Sequence, residues 1–372
     1  MRVLQFFKTA LPDTMGGVEQ VINQLAEGTS RRGVENTVLS LARIPDRQVT
    51  QMNGYRVCRA PLDIELASTG FSRSALGWFR DLAREVDLIH YHFPWPFMDI
   101  AHFLARVKVP TLVTYHSDIV NQRRLLRLYQ PLQSAFLRSV TRIVATSPNY
   151  CDSSPVLRRF AAKTEVIPLG IGPPPQISAE RLDYWRGRFG DRFFLFVGVL
   201  RYYKGLHTLL EAMQGTSYPV VIAGHGPEAE ALYAKAGALQ LKHVHFLGKI
   251  EEEDKTALLQ LCWAMLFPSH LRSEAFGVSL LEAAQHGKPM VTCELGTGTS
   301  YVNLANQTGL VVSPEHPGEL RAAMDALWCN DEMRDTMGRK AQERYREMFT
   351  AEKMVDAYLD LYERLIVSWK FL

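Results

Sequence analysis

Residues 273–283 read Ser-Glu-Ala-Phe-Gly-Val-Ser-Leu-Leu-Glu-Ala, which places Glu274 and Glu282 eight positions apart around Phe276 and Gly277. A helix that begins near Gly277 would leave its first N–H groups without partners and direct a positive dipole end toward a phosphate. Glu282 would lie on that helix, and Glu274 would project toward the same pocket from the preceding loop. One carboxylate would then bind sugar hydroxyls and the other ribose hydroxyls, so the spacing fits a nucleotide sugar.

The sequence around this stretch favours a binding site over a chance pair of glutamates. By chance, one carboxylate would cap the helix and the other would lie on its solvated face. Here an apolar run at residues 264–267 leads into Pro268, and Gly287-Lys288-Pro289 ends the helix before another apolar run. The result is a strand, loop, helix, strand unit, in which an open α/β sheet binds its ligands.

Length and composition predict a globular protein of two domains. The chain has 372 residues, of which 47% are hydrophobic and 22% charged. The net charge of +3, without a dense block of Lys and Arg, argues against a nucleic-acid partner. Its five cysteines form no Cys-x-x-Cys pair, which argues against a disulfide framework and a zinc site and favours a reducing cytosol.

No targeting or membrane-spanning segment is expected. Residues 1–7 read as a first β-strand and lack the apolar stretch and cleavage site of a signal peptide. Since no apolar run approaches the about 18 residues of a membrane span, we expect the protein to reach a membrane only from its surface.

Alternating apolar runs and helical periodicity predict an α/β fold with Rossmann-like domains. The predicted strands are residues 3–7, 37–41, 88–92, 111–115, 143–146, 166–169, 193–197, 220–223, 244–247, 264–267, 290–293 and 310–312. The Gly-Ile-Gly-Pro-Pro-Pro run at residues 170–175 continues neither a helix nor a central strand and is the predicted linker. We therefore expect domains at residues 1–170 and 171–353, followed by a helix at 354–372.

Two strand-to-helix loops carry features suited to phosphate. Gly16 and Gly17 follow the first strand and let the backbone approach a ligand, although a plain turn explains them equally well. They are not a Gly-x-Gly-x-x-Gly fingerprint, which disfavours nicotinamide chemistry. Arg201 and Lys204 follow the first strand of the second half and can neutralise a pyrophosphate; alternatively, Lys204 is a solvated lysine at a helix start.

The glutamate pair in this setting resembles the Glu, seven residues, Glu signature of the retaining glycosyltransferases of family 4. The resemblance covers nearly the whole chain. Residues 199–205, Val-Leu-Arg-Tyr-Tyr-Lys-Gly, and 94–96, Pro-Trp-Pro, are similar to bacterial mannosyl- and D-rhamnosyltransferases of O-antigen assembly that use GDP-sugars. The resemblance implies the GT-B fold, in which two Rossmann-like domains face a central cleft. The last helix would cross back to the N-terminal domain or stay on the second.

The resemblance also implies a role for individual residues. His116, beside the donor sugar, and Glu274 would be catalytic. The family has Arg directly after the first Gly of the 198–205 loop, where this chain has Val199, so Arg201 is expected to replace it. Backbone groups would hold the base, which leaves guanine and uracil open. The donor-binding residues would be Gly16, Gly17, Arg201, Lys204, Gly224, Lys249, Ile250, Phe276, Gly277, Val278 and Glu282.

The acceptor side is expected on two segments of the first domain. His92 and Trp95 belong to an aromatic loop that would form a wall for a sugar or, alternatively, a buried structural corner. Asp118 would orient the site. Arg123 and Arg124 begin a basic amphipathic segment that would lie on an anionic membrane or hold a lipid diphosphate, with a solvated helix face as the alternative.

These implications predict a retaining hexosyltransferase at the cytoplasmic face of the plasma membrane. It would move mannose from GDP-mannose to an undecaprenyl-diphosphate-linked saccharide in O-antigen or related surface polysaccharide biosynthesis. The alternatives are a transferase that uses GDP-D-rhamnose or a UDP-sugar, a nucleotide-sugar epimerase and a non-catalytic assembly subunit. Front-face displacement is expected, because no carboxylate is placed as a covalent nucleophile. No metal or other cofactor is expected, because Arg201, Lys204 and helix N-termini would supply the positive charge.

Overall fold

The computed structural model describes residues 1–14, 16–43, 49–66, 69–119 and 123–371, without the side chains of residues 123–125. The chain divides into two compact units, residues 1–172 with 350–372 and residues 173–349. The expected boundaries were 170 and 353, whereas the chain rejoins the first unit at Thr350, just before its last helix. Each unit contains a sheet of mainly parallel strands with connecting helices, as the predicted fold class requires.

The first unit is built on a sheet whose described strands have the order β10-β9-β8-β7-β1-β2-β4-β3. Its strands are β1 (Arg2–Phe6), β2 (Glu35–Ala42), β3 (Val49–Met52), β4 (Tyr55–Pro61), β5 (Ile64–Leu66), β6 (Thr69–Phe71), β7 (Leu88–Phe93), β8 (Thr111–Tyr115), β9 (Arg142–Ala145) and β10 (Thr164–Val166). Its helices up to the linker are α1 (Gly17–Ser30), α2 (Arg73–Leu82), α3 (Pro96–Ala105), α4 (Arg123–Ser139), α5 (Pro148–Ser153) and α6 (Pro155–Arg159). The pairs in this sheet are parallel except β3 with β4, and β5 and β6 form a separate antiparallel pair.

The second unit is built on a parallel sheet with the strand order β13-β12-β11-β14-β15-β16. Its strands are β11 (Phe194–Val197), β12 (Val220–Ala223), β13 (Val244–Gly248), β14 (Ala264–Phe267), β15 (Met290–Cys293) and β16 (Gly309–Val312). Its helices are α7 (Ala179–Phe189), α8 (Leu206–Ala212), α9 (Ala229–Ala238), α10 (Glu252–Leu261), α11 (Val278–Gln285), α12 (Thr299–Val302), α13 (Pro317–Cys329) and α14 (Asp331–Met348).

The strand orders determine where each unit can bind a ligand. Central strands such as β12 and β14 are buried along their whole length, because helices cover both faces of a parallel sheet. The order reverses between β1 and β7 in the first unit and between β11 and β14 in the second. Ligands of open α/β sheets bind outside the carboxyl ends of the strands at such switch points. The loops after these four strands are therefore the places to look for a site.

The last helix, α15 (Ala351–Trp369), belongs to the first unit. Its buried stripe includes Tyr358 and Tyr362 and packs against the first unit, with Val355 so close to α1 that a Cβ added at Gly28 would lie 2.4 Å from it. Of the two expected positions for this helix, the structure has the return to the N-terminal unit. No helix in the described ranges is long and apolar enough to cross a membrane.

Two local expectations differ from the structure. The predicted strand at residues 166–169 was wrong beyond its first residue, since β10 ends at Val166. Pro168 has no N–H to donate to a ladder, which explains the early end. The antiparallel β3–β4 hairpin was not predicted, although its Asn53-Gly54 turn is a strong hairpin signal.

Candidate active site

Lys204 and Glu274 meet at the switch point of the second unit. Lys204 follows β11, Glu274 follows β14, and Lys204 Nζ donates to Glu274 Oε2 at 2.5 Å. Ser269 Oγ donates to the same oxygen at 3.1 Å. The two charged side chains are only 12% and 9% exposed. The structure thus brings together two residues that the sequence assigned to phosphate and sugar, and it joins them in a shielded ion pair.

The close approach of these two loops depends on Gly205. Its φ of +69° lies in the left-handed region, and an added Cβ would lie 2.0 Å from the carbonyl oxygen of Pro268. The N–H of His270 also donates to the carbonyl of Tyr203 at 2.9 Å. Lys204 is therefore held by a backbone contact between the loops as well as by its own ion pair.

The helix predicted near Gly277 begins at Val278, the first residue of α11. Gly277 has a φ of +88°, and an added Cβ would lie 3.0 Å from Phe267 and Leu280, so both the turn and the packing require glycine here. Phe276 is 4% exposed and its ring packs edge-on against Phe349. Its side chain thus belongs to the core, and only its backbone remains for a donor contact.

Glu282 is paired with Lys255 and is not a solvated carboxylate. Lys255 Nζ on α10 donates to Glu282 Oε1 at 2.6 Å and also lies 2.6 Å from Glu252 Oε2. Burial raises the pKa of Glu282, and the Lys255 charge opposes that effect. The two glutamates that the sequence singled out therefore have different cationic partners.

The loops after β11, β12 and β13 pack backbone against backbone. A Cβ added at Gly224 would lie 1.9 Å from the carbonyl oxygen of Gly198, and Gly224 N donates to the carbonyl of Gly248 at 2.8 Å. Arg201 and Lys249 are exposed on these loops, and Ile250 is half-buried. These loops consequently present main-chain groups at the carboxyl edge of the sheet, with Arg201 and Lys249 exposed beside them.

In the first unit, His116 belongs to a buried chain of hydrogen bonds. His116 Nε2 lies 2.9 Å from His92 Nδ1, and His92 Nε2 lies 2.7 Å from Gln5 Oε1. Burial lowers the pKa of His116 to about 3, and it lowers the pKa of His92 well below its usual range. Both rings are therefore neutral at neutral pH, with one proton each.

The orientation of the Gln5 amide, whose Oε1 faces His92 Nε2, decides the position of each proton. Gln5 Oε1 can only accept, so His92 Nε2 carries a proton and His92 Nδ1 is an acceptor. His116 Nε2 must then carry the proton that is donated to His92. His116 Nδ1 is left with a lone pair, which suits it to accept a hydrogen bond from a hydroxyl group.

A second buried chain connects the neighbouring His90 to α15. His90 Nδ1 lies 2.7 Å from Tyr362 Oη, and His90 Nε2 lies 2.7 Å from Thr114 Oγ1. Thr114 Oγ1 lies 2.7 Å from Tyr358 Oη. The rings of His90 and His92 stack with centroids 4.3 Å apart. The last helix thereby supports the strands that position His116.

The other residues of the first unit that the sequence predicted as site residues lie in different environments. Gly16 is the N-cap of α1, which begins at Gly17. Trp95 is 1% exposed and its indole N–H donates to the carbonyl of Gly70 at 3.0 Å, so it occupies the buried corner and not an open sugar wall. Asp118 Oδ1 accepts from Tyr115 at 2.9 Å and from Ser154 at 2.7 Å. The side chains of Arg123 and Arg124 lie outside the described residues.

The sequence gave no indication of several partners in these sites. Ser269, Lys255 and Gln5 each bond to a predicted residue through a contact that only the fold creates. Arg272, just before Glu274 in the chain, donates to the carbonyls of Leu295 and Gly296, and the sequence did not predict these contacts either. None of them has a motif of its own that could have revealed its role.

Two family models match the chain, one on each unit. Residues 15–173 match Glycosyltransferase Family 4, and residues 186–344 match Glycosyl transferases group 1. The D-rhamnosyltransferase WbpZ of Pseudomonas aeruginosa is 57% identical over 94% of this chain and 93% of its own length. The chain belongs to glycosyltransferase family 4.

A second relative and a solved structure agree with this family membership. The O-antigen chain mannosyltransferase C of Escherichia coli is 47% identical over 99% of this chain and the whole of its own length. The solved sucrose-phosphate synthase of Thermosynechococcus elongatus superposes with a TM-score of 0.83 over 99% of both chains, at 20% identity. The predicted GT-B fold is thereby confirmed.

Proposed function

We propose that this glycosyltransferase moves mannose from GDP-mannose, with retention of configuration, to a lipid-linked saccharide in O-antigen biosynthesis. The observation that carries the proposal is the Lys204–Glu274 pair at the switch point of the second unit, in a chain whose relatives include an O-antigen mannosyltransferase. The Lys204 cation would bind the donor diphosphate, and the Glu274 carboxylate would bind sugar hydroxyls.

The chemistry assigned to these groups is a front-face displacement. The bond between the anomeric carbon and the diphosphate oxygen breaks, and the acceptor oxygen bonds to the same face of that carbon. The acceptor's hydroxyl proton passes to the departing diphosphate. Lys204 would stabilise the charge that grows on the diphosphate, and His116 Nδ1 would accept a hydrogen bond from a donor-sugar hydroxyl. Glu274, already bonded to Lys204 and Ser269, would orient the sugar and not attack it.

Transfer is proposed to need no metal at the diphosphate. Lys204 is held in place before any donor binds, so its charge requires little reorganisation during the reaction. The exposed Arg201 on the same loop would add a second cation. Fixed cations of this kind can replace the charge stabilisation that a divalent ion supplies.

A second candidate donor is GDP-D-rhamnose, favoured by the D-rhamnosyltransferase among the relatives. D-Rhamnose differs from mannose only in lacking the hydroxyl at C6. A site that binds that hydroxyl rejects the analogue without it strongly, because polar groups of the protein are then left unpaired. The ratio of the two rates of transfer therefore identifies the donor.

The lipid-linked acceptor is proposed to be met at an anionic membrane surface, and the first unit offers an apolar-basic patch for it. The patch consists of Leu104, Lys108, Trp369, Lys370 and Phe371, all exposed. Phe371 is 85% and Leu104 63% exposed, and the Trp369 indole donates to the carbonyl of Lys108, which joins the end of α15 to the turn after α3. Aromatic and basic side chains together favour the interface of an anionic bilayer.

One transfer assay tests the donor and the metal. The enzyme is incubated in EDTA with a lipid-linked N-acetylglucosaminyl or mannosyl acceptor and, in parallel, GDP-mannose, GDP-D-rhamnose, UDP-glucose or UDP-N-acetylglucosamine. The expected result is an α-linked product from GDP-mannose. Transfer from UDP-sugars alone would refute the donor. A complete loss of transfer in EDTA that Mg²⁺ or Mn²⁺ restores, but one equivalent of Zn²⁺ does not, would refute metal independence at the diphosphate.

Membrane binding has its own assay, sedimentation with phosphatidylglycerol vesicles at low salt. Phe371→Ser combined with Lys370→Glu should reduce binding, as should Arg123→Glu combined with Arg124→Glu. Tyr184→Ser removes an exposed aromatic ring of the second unit and is the matched control. If both double variants bind the vesicles as well as the wild type and the control do, neither surface meets the membrane.

A further inference from the structure

His207, His270 and Glu315 converge on one point in the second unit. His207 lies in the first turn of α8, His270 follows β14 and Glu315 follows β16. One nitrogen from each ring and one carboxylate oxygen all lie within 4.8 Å of one another. The three side chains come from separate loops at the carboxyl edge of the sheet, so the fold alone brings them together.

His270 lacks the partners that a buried histidine requires. Its side chain is 1% exposed, and neither ring nitrogen has a hydrogen-bond partner among the described residues. The nearest carboxylate oxygen, on Glu315, is 3.9 Å from Nε2, which is too long for a hydrogen bond. The rings of Tyr202 and His207 lie nearly perpendicular to it, with centroids 4.9 and 5.0 Å away. A buried polar group without a partner costs about 1–3 kcal/mol, so a ligand bound here would remove that cost.

We propose that His207, His270 and Glu315 bind a divalent transition metal of the Zn²⁺ type. Two imidazoles and one carboxylate are a donor set that zinc accepts, with water in the fourth position. The burial of the three residues decreases from His270 through His207 to Glu315, which leaves the open position toward solvent.

The distances within the trio allow the metal to bind with a small rearrangement. Zn–N and Zn–O bonds of about 2.0–2.2 Å require ligand atoms about 3.3 Å apart in a tetrahedral site, somewhat closer than they are here. Glu315 is exposed and lies on a loop, so its carboxylate has room to move toward the two rings. The two rings already pack on Tyr202 and on each other, so both face the same point.

The position of the site gives the metal a bracing role. His207 comes three residues after Lys204, and His270 comes four residues before Glu274. A metal that joins the two histidines would therefore clamp together the two loops that carry the Lys204–Glu274 pair. The metal would not replace Lys204 at the diphosphate, and its binding does not depend on the proposed sugar transfer.

The test is Zn²⁺ binding to the whole, chelator-treated and desalted protein in the absence of any donor. Calorimetry should give one equivalent of Zn²⁺, and Co²⁺ should give the visible absorption of a low-coordinate nitrogen and oxygen site. His207→Ala and Glu315→Gln should each weaken Zn²⁺ binding by at least about tenfold. Zn²⁺ should raise the melting temperature of the wild type more than that of either variant.

His316→Asn is the matched control. His316 is an exposed histidine next to Glu315 that caps α13 by accepting from Glu319 N, and asparagine can keep that cap. The control should bind Zn²⁺ like the wild type. Absence of Zn²⁺ binding by the wild type at about 100 μM, equal binding by His207→Ala and Glu315→Gln, or loss of binding in His316→Asn would each overturn the proposal. A failure of sugar transfer with Zn²⁺ binding intact would instead count against the proposed function alone.

Discussion

Replacing Lys204 by methionine should reduce both stability and turnover. The substitution keeps the aliphatic stem but removes the cation that lies 2.5 Å from Glu274 Oε2. Removing one partner of a buried ion pair costs about 3–5 kcal/mol. The side chains of Lys204 and Glu274 are still 12% and 9% exposed. We therefore expect a loss at the lower end of that range, about 3 kcal/mol of unfolding free energy. Turnover should fall by about a hundredfold, as for other preorganised charge stabilisers.

A second substitution separates the two effects. Adding Glu274→Gln to Lys204→Met removes the unpaired carboxylate, and the glutamine can still accept from Ser269. The double variant should therefore recover most of the lost stability, but its turnover should stay low because the diphosphate still lacks the Lys204 cation. Urea unfolding and initial rates of transfer measure the two quantities.

Lys235→Met is the matched control, because Lys235 also forms an ion pair in the second unit but lies at the surface. Lys235 pairs with Glu211 at 2.5 Å, but these side chains are 31% and 42% exposed. Such a pair contributes about 0–1 kcal/mol. If Lys204→Met destabilised the protein no more than Lys235→Met does and kept turnover within a few-fold of wild type, the reasoning about the Lys204–Glu274 pair would be refuted.

Three further predictions follow from the buried groups. Burial lowers the pKa of His116 from 6.5 to about 3, so between these pH values the unfolded state binds more protons than the folded state. Unfolding free energy should thus fall on acidification, by about 2 kcal/mol at pH 5 from this residue, and His116→Gln should reduce the slope; an unchanged slope would contradict this. Tyr362→Phe should cost about 1–2 kcal/mol in urea unfolding by removing the partner of His90 Nδ1, whereas the exposed Tyr184→Phe should be neutral; equal effects would count against the buried chain. Glu282→Gln should weaken GDP binding by about 1.5–3 kcal/mol if its carboxylate binds ribose, and calorimetry that finds unchanged affinity in a folded variant would remove it from the site.

Local sequence patterns were sufficient to predict most of the fold. Apolar runs separated by helical periodicity located the strands of the second unit to within a residue at most ends, as at Val220–Ala223. The glycine before α11 indicated where that helix begins. The prediction failed at residues 166–169, where Pro168 ended a strand that apolar content alone would have continued. These features depend on neighbours in the chain, so they can be read from short stretches.

Part of the candidate site was predictable for the same reason. In a parallel sheet the residues after each strand lie at one edge, so a strand prediction also locates the loops of Lys204 and Glu274. Their direct pairing was not predictable. It depends on β11 lying beside β14 and on the backbone contact at Gly205, and neither is encoded in a local pattern.

Only the tertiary structure decided the state of the buried polar residues. Trp95 read equally well as a sugar wall or a buried corner until its packing against Gly70 was known. The proton positions on His92 and His116 depend on Gln5, which is 87 residues from His92 in the chain. The sequence therefore determined which residue types follow each strand, because that is a matter of local order. Side-chain partners, burial and charge state depend on contacts between distant segments, and these exist only once the chain has folded.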